Sequence, residues 1–141
     1  DRIKDRIRRR GENVSAFEVE QALGMLAGVA ECAVVGIHVG DAAAEQEIKA
    51  CIVRAADAAG AALTPLQVLE HAVAQVPRFA VPRFIEFVEA LPKTPSSKVQ
   101  KHLLRASGAG AGCWDREAEG HGARAERFMP QAARSTAGAA P

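Results

Sequence analysis

Apolar residues recur at two kinds of spacing along the chain, every second position in some blocks and every third or fourth in others. Ile3 and Ile7 share one face of an extended segment, while Arg6, Arg8 and Arg10 share the other, which is the alternation of a strand. Gly11 stands where that segment would reverse, so residues 3–15 read as a β-hairpin. Ser15-Ala-Phe-Glu18 then fits a capping box, and Val19, Leu23 and Leu26 follow at helical spacing towards a stop at Gly28. Val29–Val39 carries the Ala-Val-Val-Gly-Ile run of a buried strand. After a polar connection, Ile48–Ala55 sets Ile48, Ala50 and Ile52 against Cys51 and Val53. These two strands would pair antiparallel.

Thr64-Pro65-Leu66-Gln67 is a second capping box, with proline at the first helical position. Leu66, Leu69, Val73 and Val76 would form the apolar stripe of that helix, and Pro77 would end it. Residues 77–83 read as an extended connector. Phe84–Val88 is a third short strand, with Phe84 and Glu86 on one side and Ile85 and Phe87 on the other. A last helix is predicted over Lys98–Arg105, with Val99 and Leu103 one turn apart. The sum is an α+β domain over residues 1–105, a small mixed sheet with packed helices plus an N-terminal β-hairpin. From Ala106 onward the text is Ala, Gly, Arg and Ser, with Trp114, Phe128 and Met129 isolated. Such a segment has little to offset its ordering entropy, so 106–141 reads as a largely disordered tail, a short helix over 115–128 being the alternative.

Composition narrows the function. Of 141 residues 48% are hydrophobic, but many of these are alanine and only 4% are aromatic, so the core must come from a minority of Val, Ile, Leu and Phe. No apolar run approaches the roughly 20 residues that span a bilayer. Three widely spaced cysteines suit neither a disulfide scaffold nor a zinc site, and His38, His71, His102 and His121 share no ligand spacing. A reducing, cytoplasmic compartment is expected. Cys32 and Cys51 read as small core residues, and Cys113 as an exposed, oxidisable thiol of the tail. The chain opens without Met on a charged run rather than a signal peptide, and so reads as a cut piece of something longer.

The net charge of +1 conceals an asymmetry: residues 1–10 hold six basic and two acidic side chains, a local +4. Such a cluster suits phosphates, of a nucleotide or a nucleic acid, or serves as a solvated sheet edge. A second candidate is Leu91-Pro-Lys-Thr-Pro-Ser-Ser-Lys98-Val, a proline-serine loop running into the predicted helix. With Ser97 as N-cap, free amides and the Lys98 ammonium would face an anion together.

In this order the stretches resemble the C-terminal domain of the adenylate-forming acyl-CoA synthetases, a superfamily that also holds peptide-synthetase adenylation domains and firefly luciferase. Asp-Arg-Ile-Lys-Asp-Arg-Ile-Arg-Arg-Arg-Gly-Glu-Asn-Val-Ser-Ala-Phe-Glu-Val-Glu looks like the family's hinge motif, within 1–15 and beyond. Leu-Pro-Lys-Thr-Pro-Ser-Ser-Lys-Val, residues 91–99, looks like its catalytic-lysine motif. Glu31-Cys-Ala-Val-Val-Gly-Ile and Val81-Pro-Arg-Phe-Ile-Glu-Phe-Val fall where the family has similar text.

The resemblance implies a two-step reaction. A carboxylic acid attacks ATP to give acyl-adenylate and pyrophosphate, then CoA thiol displaces AMP, the small domain rotating between the steps. Lys98 matches the catalytic lysine, Lys4 the hinge and Arg2 a nucleotide-ribose contact. Gly11 matches a glycine beside the pantetheine tunnel. Charge suggests Arg8, Arg9 and Arg10 as partners of CoA phosphates. ATP and CoA are then substrates, with Mg2+ implied for the whole enzyme but not bound by this domain. The partners are an N-terminal AMP-binding domain of the same polypeptide and a small carboxylic acid. Without that domain the fragment is expected to be inactive. Acetylation would silence Lys98.

One departure stands out: Ser97 replaces the glycine usual before the lysine. It would be strained at positive φ but suits an N-cap, so Ser97 is expected to cap the helix. The Arg-Arg-Arg-Gly-Glu-Asn-Val-Ser text is similar to carnitine- or crotonobetaine-type CoA ligases. Alternatives are a peptide-synthetase adenylation subdomain and, from another class, a small basic nucleic-acid-binding module, which the scarcity of aromatics on the basic face disfavours.

Overall fold

The computed structural model describes residues 5–39, 46–110 and 112–120. Arg2 and Lys4 therefore lie outside the described residues, as do 121–141.

Strands β1 (Arg6–Arg9) and β2 (Glu12–Ser15) form the hairpin, with Ile7 opposite Val14 and Arg9 opposite Glu12. Both turn residues have positive φ, Arg10 at 50° and Gly11 at 83°, the two-residue turn whose twist matches its strands. Ile7 and Val14 are buried; covering each stabilises the hairpin by about 1.5–3 kcal/mol against the domain. Helix α1 (Ala16–Gly24) follows, with the Glu18 amide donating to Ser15 Oγ. It ends four residues before Gly28. That glycine instead lies at φ 100°, in the turn that precedes the next strand. A Cβ there would stand 2.7 Å from the Ala59 carbonyl oxygen.

The second sheet runs β3 (Val29–Ile37), β4 (Glu47–Arg54), β5 (Phe84–Phe87), β6 (Trp114–Asp115). β3 and β4 pair antiparallel as predicted, β4 and β5 parallel, and β5 and β6 antiparallel. A parallel pair needs a crossover, which α2 (Ala58–Ala62) and α3 (Pro65–Gln75) supply. The Thr64 capping box is complete. The buried stripe of α3 is Val68, Leu69 and Ala72, whereas Leu66 faces solvent. Helix α2, capped by Asp57, has no apolar stripe to announce it, and residues 78–80 make a 3-10 turn within the expected connector.

Two cores fill the two faces of the sheet. Hairpin, α1 and α3 close over Val34, Ile48, Ala50, Ile52 and Ile85. On the other face Ala33, Val35, Cys51, Phe84, Leu91 and Leu104 pack together. The faces of β4 and β5 are those their alternation predicts.

The C-terminal region departs from expectation. The last helix is α4 (Lys101–Ser107), three residues later than predicted, burying Leu104 and leaving Leu103 half exposed. Val99 is drawn out of it by an antiparallel bridge to Lys93. The described part of the expected tail is packed on the domain. Trp114 lies against the first core and Arg116 is fully buried, its Nε donating to the Pro82 carbonyl at 3.0 Å. β6 supplies backbone partners to the open edge of β5, and that pairing adds to the Trp114 contact in holding the segment. Cys113 is accordingly half buried. Burial first, then the Glu86 charge, push its thiol up despite nearby Lys49.

Among the described residues no helix is long and apolar enough to cross a membrane.

Candidate functional site

Lys98 sits in a tight hairpin loop. The Ser97 amide donates to the Thr94 carbonyl at 2.8 Å, and the Thr94 amide donates to the Lys98 carbonyl at 2.8 Å. The Lys98 amide in turn donates to Thr94 Oγ1 at 3.1 Å. This is a turn closed by a left-handed bulge residue, and Ser97 occupies that position at φ 70°. Ser97 is therefore not an N-cap and Lys98 is not the first residue of a helix. Proline at 95 and two small hydroxyl residues after it favour the turn over helix nucleation.

Three lysines lie in or beside the loop, and their environments differ. Lys93 pairs with Glu31 of β3 at 2.7 Å. Lys101 contacts Asp5 and lies 2.6 Å from Glu20. Lys98 is exposed and has no ion pair among the described residues. An ammonium held on a braced loop, with no carboxylate to satisfy it, is available to an anionic ligand.

The hairpin separates its arginines. Arg8 is exposed, with Nη1 donating to Asn13 Oδ1 at 3.2 Å, and Arg10 is exposed on the turn. Arg9 points the other way. It is 1% exposed, bonded through Nε to Glu47 at 2.9 Å and through Nη1 to the Phe79 carbonyl at 3.3 Å. The alternation that buries Ile7 and Val14 also buries Arg9, so the structure does not bring it together with Arg8 and Arg10. Glu47 joins Arg9 to Arg83 at 3.8 Å, and Arg83 forks onto Asp115 at 3.0 and 3.1 Å. Gln46 fastens the hairpin from the side: its amide donates to the Arg8 carbonyl at 3.2 Å, and its Oε1 accepts from the Arg8 amide at 3.1 Å. Nothing lies within 4 Å of a Cβ built on Gly11, so the domain itself leaves that side open.

The profile of the AMP-binding enzyme C-terminal domain matches residues 18–98, more than half of the chain. The chain belongs to this family. It is 40% identical over 105 residues to 3-[(3aS,4S,7aS)-7a-methyl-1,5-dioxo-octahydro-1H-inden-4-yl]propanoyl:CoA ligase of Rhodococcus jostii, covering 74% of this chain and 19% of that one. It is 41% identical over 105 residues to acetyl-coenzyme A synthetase of Mycolicibacterium smegmatis, covering 74% and 11%. The fold matches a Brucella canis acyl-CoA synthetase at 38% identity and TM-score 0.65, over 76% of this chain and 19% of that one. This AMP-binding enzyme C-terminal domain thus spans about a fifth or less of the relatives it matches. The matched residues end on Lys98.

A buried polar group of this AMP-binding enzyme C-terminal domain escaped the sequence. Lys49 is fully buried on β4, 2.9 Å from Glu86, and donates to the Gly108 carbonyl at 2.7 Å and to Ser107 Oγ at 3.3 Å. Burial is the largest single influence and opposes its charge, but the Glu86 hydrogen bond, the Cys51 and Cys113 sulfurs and the Glu86 charge together outweigh it and keep the ammonium above the ordinary lysine value. The neighbouring Cys51 thiol is pushed up to about 11, by burial first. A lysine within an alternating strand gives no advance sign of the carboxylate on the next strand.

Proposed function

We propose that this chain is the mobile C-terminal domain of an ATP-dependent, AMP-forming acyl-CoA ligase. Lys98 enters the active site of a larger N-terminal domain for carboxylate adenylation. After rotation about Lys4, the hairpin face bearing Gly11, Arg8 and Arg10 takes part in CoA thioester formation. The observation that carries this reading is the lysine loop itself. Its flanking lysines, Lys93 and Lys101, are committed to carboxylates, and the turn holds Lys98 exposed between them.

Charge on the carboxylate and α-phosphate oxygens redistributes as the adenylate forms. A preorganised ammonium in a closed, desolvated site stabilises that transition state by about 3–4 kcal/mol. On the other face, Arg8 and Arg10 offer guanidinium groups to CoA phosphates. Arg2 would contact the nucleotide ribose. Mg2+ would accompany ATP, held chiefly by the nucleotide phosphates on the larger domain. The domain alone would be inactive, and its compartment would be the cytoplasm.

The test is the full-length protein carrying Lys98→Ala. Acid-dependent ATP–pyrophosphate exchange should fall at least about 100-fold, while supplied acyl-adenylate is still converted to thioester by CoA. Unimpaired exchange would overturn the assignment of Lys98.

A further inference from the structure

Asp5, Glu20 and Lys101 come from three separate parts of the chain and meet at the outer edge of β3. Lys101, the first residue of α4, places Nζ against Asp5 Oδ2 and 2.6 Å from Glu20 Oε2. The same Glu20 oxygen accepts from the Val34 amide at 2.8 Å. It thereby occupies a donor that the edge strand would otherwise present to solvent. The Asp5 carbonyl accepts from the Ala16 amide at 3.1 Å. Asp5 is thus held by both main chain and side chain, and all three charged groups are less than one-fifth exposed.

The placement links the two functional segments. Asp5 directly follows Lys4, and Lys101 comes three residues after Lys98. α1 and α4 pack on opposite faces of the sheet, so the ammonium closes a clasp around the β3 edge between the exit of the hinge and the base of the lysine loop. Lys93 ties the other arm of that loop to Glu31 on the same strand. An ammonium between two largely buried carboxylates also leaves a strong penalty for its removal, because Asp5 and Glu20 would then face each other uncompensated.

We propose that Lys101 is a positioning residue for both the lysine loop and the hairpin, clamping Asp5 and Glu20 so that rotation at the hinge carries the two segments as one rigid body. The proposal rests on the ligase reading above. Backbone change is confined N-terminal to Asp5, and Lys98 arrives without slack. Misplacing a reacting group by about 1 Å can cost on the order of 100-fold in rate, so a loosened clasp should be visible in turnover and not in ground-state binding.

The test uses the full-length protein with Lys101→Met, Lys101→Arg, Asp5→Asn and the double variant Asp5→Asn/Lys101→Met. Lys101→Met should lower kcat of ATP–pyrophosphate exchange and of thioester formation from supplied acyl-adenylate, each by about 10- to 100-fold. KM for ATP and acid should stay within twofold of wild type. Lys98→Ala, by contrast, affects the first step alone. Asp5→Asn is the milder variant and should lower both steps several-fold. The double variant should be no worse than Lys101→Met, and Lys101→Arg should restore most of the rate. Hydrogen exchange of the Ala16 amide should quicken in Lys101→Met and not in Lys101→Arg, a readout independent of activity. Lys101→Met within twofold of wild type in both steps would overturn the proposal, as would additive losses in the double variant. A wild-type protein with no acid-dependent exchange would instead overturn the ligase reading, leaving the exchange of the Ala16 amide to decide the clasp.

Discussion

Thr94 and Lys98 hold each other twice, the Thr94 amide on the Lys98 carbonyl at 2.8 Å and the Lys98 amide on Thr94 Oγ1 at 3.1 Å. The pair closes the loop so tightly that the residue before the lysine must take a left-handed backbone, and Ser97 does so at φ 70°. A left-handed conformation costs an L-residue about 1–2 kcal/mol, against about 0.5–1 kcal/mol of backbone entropy lost with glycine. Ser97→Gly should therefore raise the free energy of unfolding by about 0.5–1 kcal/mol, measured by urea titration. Ser97→Val should lower it by about 1–2 kcal/mol, because a β-branched residue fits this region poorly. Equal stability of the two variants would show that the turn does not demand the conformation.

Gly11 separates backbone strain from ligand access. At φ 83° any side chain is disfavoured, yet a Cβ there meets nothing within 4 Å. Gly11→Ala should cost about 1 kcal/mol of stability from the backbone alone. On the proposed ligase reading, in the full-length protein it should leave ATP–pyrophosphate exchange near wild type and slow thioester formation by at least about tenfold, since a Cβ there would obstruct the CoA arm alone. An equal loss in both steps would place the effect in folding.

Much of this architecture was legible from periodicity, and the exceptions have physical causes. The alternation Ile48, Ala50, Ile52 against Cys51 and Val53 was enough to assign both faces of β4, because each face meets its own apolar core. Thr64 and Gln67 were readable because a capping box is a local interaction. The lysine loop reads as a helix start in the sequence because Val99 and Leu103 have helical spacing by coincidence. The bridge from Lys93 to Val99 is a pairing that periodicity cannot encode. Arg116 and Lys49 were missed for a related reason: their partners, the Pro82 carbonyl and Glu86, are remote in sequence. Of the candidate site, the motif positions Gly11 and Lys98 were visible from resemblance. That Lys98, of three nearby lysines, has no carboxylate partner among the described residues became visible only with the fold.

Arg9 and its neighbours should divide cleanly by measurement. Arg9 is buried against Glu47, so Arg9→Met leaves a largely buried carboxylate whose remaining cation among the described residues is Arg83 at 3.8 Å. The loss should be about 2–3 kcal/mol of stability. Arg8→Ala and Arg10→Ala should change stability by no more than about 0.5 kcal/mol, as exposed substitutions do. In the full-length protein each should raise KM for CoA several-fold. Thermal unfolding alongside CoA saturation distinguishes the two classes. A KM effect from Arg9→Met without loss of stability would return Arg9 to the CoA-facing set.

Asp115 gives the described C-terminal segment a pH signature. Burial opposes its charge, but hydrogen bonds from Arg83 and from the Glu117 and Ala118 amides, with the Arg83 charge, outweigh that and hold the carboxyl below its ordinary value of 3.8. The folded state therefore favours the ionised form. Its contribution is complete above the unfolded pKa and is lost as pH falls through the lower, folded one. Asp115→Asn should reduce stability by about 1 kcal/mol at neutral pH, the scale of a part-exposed ion pair. The gap to wild type should close as pH falls below about 4, since the unfolded carboxyl titrates first. Urea unfolding at a series of pH values from 7 to 2 measures the gap directly. A gap that stays constant across that range would mean that Asp115 contributes through shape alone, and that the fork from Arg83 does not hold β6 against β5 by charge.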